Sequence, residues 1–274
     1  MSTFLGARSL FCMFAVATST TLTTSEVFAA GGPPETARDV LGVKIGMSPS
    51  DVRQVWAAHK PPMVDSAAGR DLSFPFEGLP NSKYEPKLTA NAYLGPSSNH
   101  TLNLFFSAPP ATSRLVSIWR TTLYGPTSSI AGDELRSALN EKFGPPSTTS
   151  QRNRFTEEYR WAWSKEGASL TADKTDRCKT GSNAFSGAIN NVRRQTSAQN
   201  TVNMLKQFEF ADCSFYAEAT FQVENGVVTL LSMTVTDIGL AKSLGEQTIA
   251  AVNAITDAAN QQQLEQAKTR KPEL

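Results

Sequence analysis

The chain is poor in the residues that announce chemistry. Its 274 residues include two histidines, His59 and His100, and three cysteines, Cys12, Cys178 and Cys213. No phosphate loop, His-Glu-x-x-His pair or Gly-x-Ser-x-Gly elbow occurs. The sequence signs of nucleotide hydrolysis, zinc proteolysis and serine-hydrolase chemistry are therefore missing. Lys179-Thr180-Gly181 matches a triplet that lines penicillin-recognising sites, but Ser-x-x-Lys is nowhere in the chain, so that chemistry lacks its nucleophile. Charge of one sign is lacking too. Lysine and arginine total 26 against 25 for aspartate and glutamate, a formal net charge of +1. That balance makes no case for nucleic acid or an anionic membrane. Neither histidine lies near a cysteine in sequence, so no metal-ligand spacing and no cofactor motif is read.

What is present begins with an export signal. Arg8 supplies a weak positive start, and Leu10–Val16 form an apolar core too short to span a bilayer. Val27-Phe28-Ala29 places small residues at the recognition positions, so cleavage is expected after Ala29 and residues 1–29 are excluded from the fold. A buried helix is the alternative reading. Cleavage removes Arg8 and Glu26 together and leaves the net charge unchanged. Cys12 goes with the signal; it follows Phe11, where a lipidation site requires a small residue. The mature protein is expected in the periplasm or outside the cell. There an even pair, Cys178 and Cys213, favours a disulfide over two free thiols. It would close a loop of about 36 residues, worth about 4 kcal/mol in the chain-entropy view.

Beyond a Gly- and Pro-rich leader, the pattern is α+β. Ser48 can cap a helix, Pro49 suits its first turn and Asp51 complements its dipole. Val52, Val55, Trp56 and His59 then fall on one stripe, and Pro61-Pro62 ends the helix. His59 reads as a helix-end residue capping carbonyls rather than a catalytic base, and His100 as a loop tip. Leu88, Ala90, Ala92 and Leu94 alternate with polar residues, as do Leu102, Leu104 and Phe106, and 115–123 reads as a third strand. A second round follows. A helix near 131–143 carries Leu135, Leu139 and Phe143 on one face, ends at Gly144 and meets Pro145-Pro146. The two helices align, Val52 with Leu135 and Trp56 with Leu139. Tyr159, Trp161 and Trp163 give a strand with one aromatic face. Residues 168–175 are a possible hairpin partner, and 178–207 a polar insertion containing Arg193-Arg194. Glu224-Asn225-Gly226 marks a type I′ hairpin between strands 215–223 and 227–235. The segment 239–268 has helix propensity and a stripe of Leu240, Leu244, Val252, Ile255 and Ala259 that fades beyond Gln261.

The run Gly42-Val43-Lys44-Ile45-Gly46-Met47-Ser48-Pro49-Ser50-Asp51-Val52 resembles the opening of small bacterial envelope modules. These are the SmpA/OmlA (BamE) outer-membrane-assembly lipoproteins and the β-lactamase-inhibitor-like fold. The resemblance covers Leu41–Pro61 and, loosely, the second helix. It implies a helix packed on an antiparallel sheet, here in tandem. The matching positions Gly46, Met47, Ser48 and Val52 are structural, so no functional residue carries over. Two departures stand out: no lipidation cysteine at the mature N-terminus, and the cysteine-bounded insertion.

The expectation is therefore a signal peptide (1–29), a first α+β module (36–124), a second with the insertion (125–238), and a C-terminal helix with a frayed tail (239–274). The expected function is a non-enzymatic binding or scaffolding protein of the bacterial envelope, with no cofactor, no metal and an unspecified protein or other envelope partner. A periplasmic hydrolase whose residues meet only in three dimensions is the alternative. Glu157 and Glu158, adjacent along a strand, face opposite ways and cannot pair with each other. Trp119, Tyr159, Trp161 and Trp163 are the candidate contact residues, equally readable as core.

Overall fold

The computed structural model describes residues 32–59, 64–65, 72–73, 83–84, 87–95, 98–107, 112–192 and 212–269. The export signal, its cleavage point and Arg193-Arg194 lie outside them.

After a 3₁₀ turn, Glu35–Arg38, come β1 (Asp39–Val40) and β2 (Val43–Lys44), a two-stranded ribbon. The helix α1 (Pro49–Ala58) starts as its residues dictate. The Ser48 hydroxyl accepts from the Asp51 N–H at 3.2 Å, and the Asp51 carboxylate accepts from the Ser48 N–H at 3.0 Å. This reciprocal box satisfies two of the first turn's orphan donors. Val52 and Trp56 are the buried faces of its stripe. Short β3 (Val64–Asp65), β4 (Leu72–Ser73) and β5 (Lys83–Tyr84) lead to a meander of β6 (Lys87–Gly95), β7 (Ser98–Phe106) and β8 (Leu115–Leu123). The second half opens with α2 (Gly132–Phe143), burying Leu135, Leu139 and Phe143. Gly144, at φ 76°, then closes the last turn by donating its N–H to the Asn140 carbonyl at 2.8 Å. Next come β9 (Thr148–Asn153), β10 (Thr156–Ser164), α3 (Ala172–Val192), β11 (Cys213–Glu224), β12 (Val227–Asp237) and α4 (Ile238–Thr269). Asn225 and Gly226 take φ of 52° and 82°, the left-handed pair that the Asn-Gly turn requires.

The class is α+β, and each half contributes its own helix and strands. The strands of the two halves merge into one antiparallel sheet, in the order β3-β6-β7-β8-β12-β11-β10-β9. The seam is β8 against β12, from Leu123↔Leu230 to Ser117↔Thr236. The last strand of each half thus meets its counterpart at the centre of the sheet.

Strand alternation sorts the side chains between two faces. The inner face carries Leu88, Leu102, Leu104 and Ile118 from one half and Trp161, Ala217, Phe221 and Val235 from the other. Val52 and Trp56 of α1 and Leu135, Leu139 and Phe143 of α2 join them in a single buried cluster. The outer face is covered in part. There α4 packs Ala241 and Leu244 against Phe105 and Val116, and α3 brings Cys178 to Cys213, Ala162 and Tyr216.

Three expectations are corrected. Of residues 168–175, only 168–170 turn back on β10, through the Trp163↔Ser169 bridge and bonds from the Ser164 N–H to the Ala168 carbonyl and the Leu170 N–H to the Ala162 carbonyl, both 2.8 Å; from Ala172 the chain is α3. The start of the insertion is helical. Over residues 172–183, the buried positions of α3 are Thr175, Cys178, Gly181 and Ser182, small or polar residues that leave no apolar periodicity to read there. His100 is a buried residue of β7, not a loop tip.

Candidate functional site: the open polar face of the sheet

The four aromatic candidates do not share a surface. Trp161 is buried under α2, its ring 4.8 Å from that of Phe143, its Nε1–H donating to the Gly144 carbonyl at 2.8 Å. Trp163 is buried against Phe215, and half-buried Tyr159 leans on Phe221. Their row is core, closed by α2. Trp119 lies on the outer face instead, half-buried, edge-on to Phe105 at 5.0 Å and packed beside Leu240 of α4. Its indole N–H is buried without a partner.

A surface that aromatic content does not mark is more informative. On the outer face, Asn91 pairs across to Thr101, Thr101 to Thr121, Thr121 to Ser232, and Ser232 to Thr220. This row crosses five strands with hydroxyls and an amide only. At about 4.8 Å per strand it is about 19 Å long. Asn91 and Ser232 are exposed and the three threonines half-exposed. A parallel row runs Thr89, Asn103, Trp119 and Thr234. Cross-strand bonds order the asparagines: the Thr101 hydroxyl donates to Asn91 Oδ1 at 2.9 Å, and Thr89 to Asn103 Oδ1 at 3.1 Å. An apolar pair, exposed Leu123 beside half-buried Leu230, borders the first row opposite Trp119. Threonine suits a strand, but these two rows carry no charge at all until Glu218 and Glu158.

At that end the face turns into an ion network under α3. Glu158, 1 % exposed, accepts from Arg152, Arg160 and Lys179. Burial pushes its carboxyl up, and the hydrogen bonds from Arg160, Lys179 and Arg152 more than reverse this, holding it at about 2. Lys179 also bridges to Glu218, which accepts from the Tyr216 hydroxyl. Burial first, then Glu218, pushes the Tyr216 phenol up. Charges are matched here: the network pins α3 to β10 and β11 and offers no unspent acid or base. Lys179, of the Lys-Thr-Gly triplet, is used in this way. Glu157, on the other face as expected, pairs with Arg136 of α2. Deeper under α3, Ser182, Thr236 and Ser117 share a chain of buried hydroxyls at 2.8 and 2.7 Å.

A disulfide joins Cys178 of α3 to Cys213 at the start of β11, with Cα atoms 5.7 Å apart. Among the described residues no three His, Cys, Asp or Glu side chains gather in a metal-binding arrangement, and no helix is long and apolar enough to cross a membrane. His100 meets Thr122 and Arg120, and among the described residues no carboxylate orients it as a base.

The uncharged rows escaped the sequence reading because alternation was used to find the buried half of each strand. The signal was in the other half: Thr89, Asn91, Thr101, Asn103 and Thr121 are all polar and none is charged. Comparison with protein-family models, with curated proteins and with solved structures finds no match.

Proposed function

We propose that this is an exported, non-enzymatic binding protein of the bacterial envelope that holds a neutral glycan chain across the open outer face. The observation that carries the reading is the row Asn91–Thr101–Thr121–Ser232–Thr220. Hydroxyls and amides both donate and accept, which suits a ligand that is itself a mosaic of hydroxyls. Trp119 on one side and Leu123 with Leu230 on the other add the apolar contact that sugar ring faces require. A protein partner fits less well, because the rows lack the cluster of buried aromatic and arginine anchors that dominates protein interfaces. Nucleic acid would need cations along the strip, and it has none. The export signal supports the compartment, and the disulfide agrees with it. Tandem helix-on-sheet halves support kinship with the β-lactamase-inhibitor-like modules.

Affinity electrophoresis of the mature protein through gels containing soluble neutral polysaccharides tests this, together with pull-down on isolated sacculi. Retardation or retention is expected for the native protein and should be lost in Ser232→Glu and Asn91→Glu with the melting temperature unchanged. No retention on any glycan, or retention indifferent to both substitutions, overturns it.

A further inference from the structure

The inner face contains a charge that no described carboxylate meets. Arg120 stands on β8, near the middle of the sheet, between Leu102 of β7 and Met233 of β12. Both neighbours belong to the buried cluster. Its guanidinium donates from Nε to the Thr122 hydroxyl at 3.0 Å and lies 3.4 Å, through Nη2, from His100 Nδ1. Among the described residues it has no carboxylate partner, and burial pushes it below the ordinary arginine range. Buried cations are nearly always paired, because the desolvation cost of an unpaired one is several kcal/mol. This arginine is half-buried in a wall of apolar side chains, yet pairs only with neutral groups.

The surrounding groups are donors as well. Arg120 Nη2 can only donate, so it favours the tautomer in which His100 Nδ1 accepts and the Thr122 hydroxyl, 2.7 Å away, donates to it. The His100 ring then carries its hydrogen on Nε2, as a neutral donor; burial, with Arg120 next and His59 after it, holds this histidine at about 4. His59 ends α1, and one turn earlier Trp56, 3 % exposed, has an indole N–H with no partner. On the other flank, Lys142 in the last turn of α2 donates only to backbone carbonyls, of Thr36 at 2.8 Å and of Asp39. Burial lowers its ammonium; the Asp39 carboxylate opposes this, and Arg120 adds to the lowering. Thus a guanidinium and an imidazole meet on the inner face through Thr122, and the Lys142 ammonium is near enough to feel Arg120. Among the described residues Asp39 acts on Lys142, and no acidic side chain bonds to Arg120.

We propose that this region, between α1 and α2 over the centre of the sheet, binds a small oxyanion, a carboxylate or phosphate group, with the Arg120 fork as its principal contact. A planar fork of donors matches either group bidentately, and the ligand supplies the missing counter-charge. This site is on the opposite face from the glycan surface, and either can fail alone.

The test is thermal denaturation of the mature protein in sodium phosphate, sodium succinate or sodium chloride at matched ionic strength. Saturable stabilisation by phosphate or succinate beyond chloride is expected, and the anion giving it identifies the source. Arg120→Met should abolish the response while keeping or raising the melting temperature in chloride, because an uncompensated charge is replaced by packing. Should that variant not fold, Arg120→Lys keeps the charge without the fork and should weaken the response at least about tenfold. Equal melting in all three salts, or an unchanged response in Arg120→Lys, overturns the proposal.

Discussion

At the scale of single residues, two buried titratable groups make opposite kinds of fold legible. Glu158 is held at about 2 in the folded protein against an ordinary 4.5. Its contribution is therefore complete above about pH 4.5 and is lost as pH falls towards 2. His100 is held at about 4 against 6.5, so the unfolded chain takes up the proton first and stability declines as pH falls from 6.5 to 4. Urea denaturation at pH 7, 5.5 and 4 should show the histidine's decline, and His100→Gln should flatten it. Glu158→Ala removes the carboxylate that three cations share, leaving Lys179 to Glu218 and Arg160 to Asp176, and should cost up to about 3–5 kcal/mol by the same measurement. Trp161→Ala should cost a similar 3–5 kcal/mol or so, as a fully buried indole that also satisfies the Gly144 carbonyl. Single residues differed in how far the sequence exposed them. The box at Ser48 and Asp51 is a local pattern, visible without the fold. The partners of Glu158 come from β9, β10 and α3, and only pairing across strands brings them together.

At the scale of elements, helices with apolar stripes were readable and α3 was not. Its contact with the sheet depends on Thr175, Cys178, Gly181 and Ser182, which a hydrophobic period does not detect. The disulfide makes up for that weak apolar face, fixing α3 to β11 covalently. Reduction should lower stability by up to about 4 kcal/mol, measured as the difference between denaturation curves with and without reductant. The last helix poses the reverse case. Ile238, Ala241 and Leu244 of α4 are buried, whereas residues 260–269 are all exposed. Deleting residues 260–274 should leave the melting temperature within about a degree of the native value, because exposed side chains contribute little. The open rows Thr89–Asn103 and Asn91–Thr101 were present in the sequence as polar alternation, but their alignment into a strip depends on register, and register depends on turns and on the seam.

At the scale of the whole molecule, the tandem pattern predicted two units and the structure joins them. Seven residue pairs connect β8 to β12, and one buried cluster runs beneath both α1 and α2. No sequence feature announces that β8 will prefer a partner in the other half; the choice is made by two exposed strand edges that each need covering. The halves should accordingly unfold together, in one calorimetric transition whose calorimetric and van't Hoff enthalpies agree. Two separated transitions would show the halves to be independent.

The seam also sets a timetable. Leu231 is made about 110 residues after Thr122, its partner across the sheet, which at 5–20 residues per second is a delay of roughly 5–20 s. Through that interval the strand Leu115–Leu123 has one bare edge and no means of covering it from its own half. Closing so long a loop is slow as well as late. A chain built in this order gains from being held unfolded until its last strand exists. The proposed export, if it precedes folding, would provide that delay, and slowing synthesis between residues 123 and 227 should lengthen the exposure and increase aggregation, measured as the insoluble fraction.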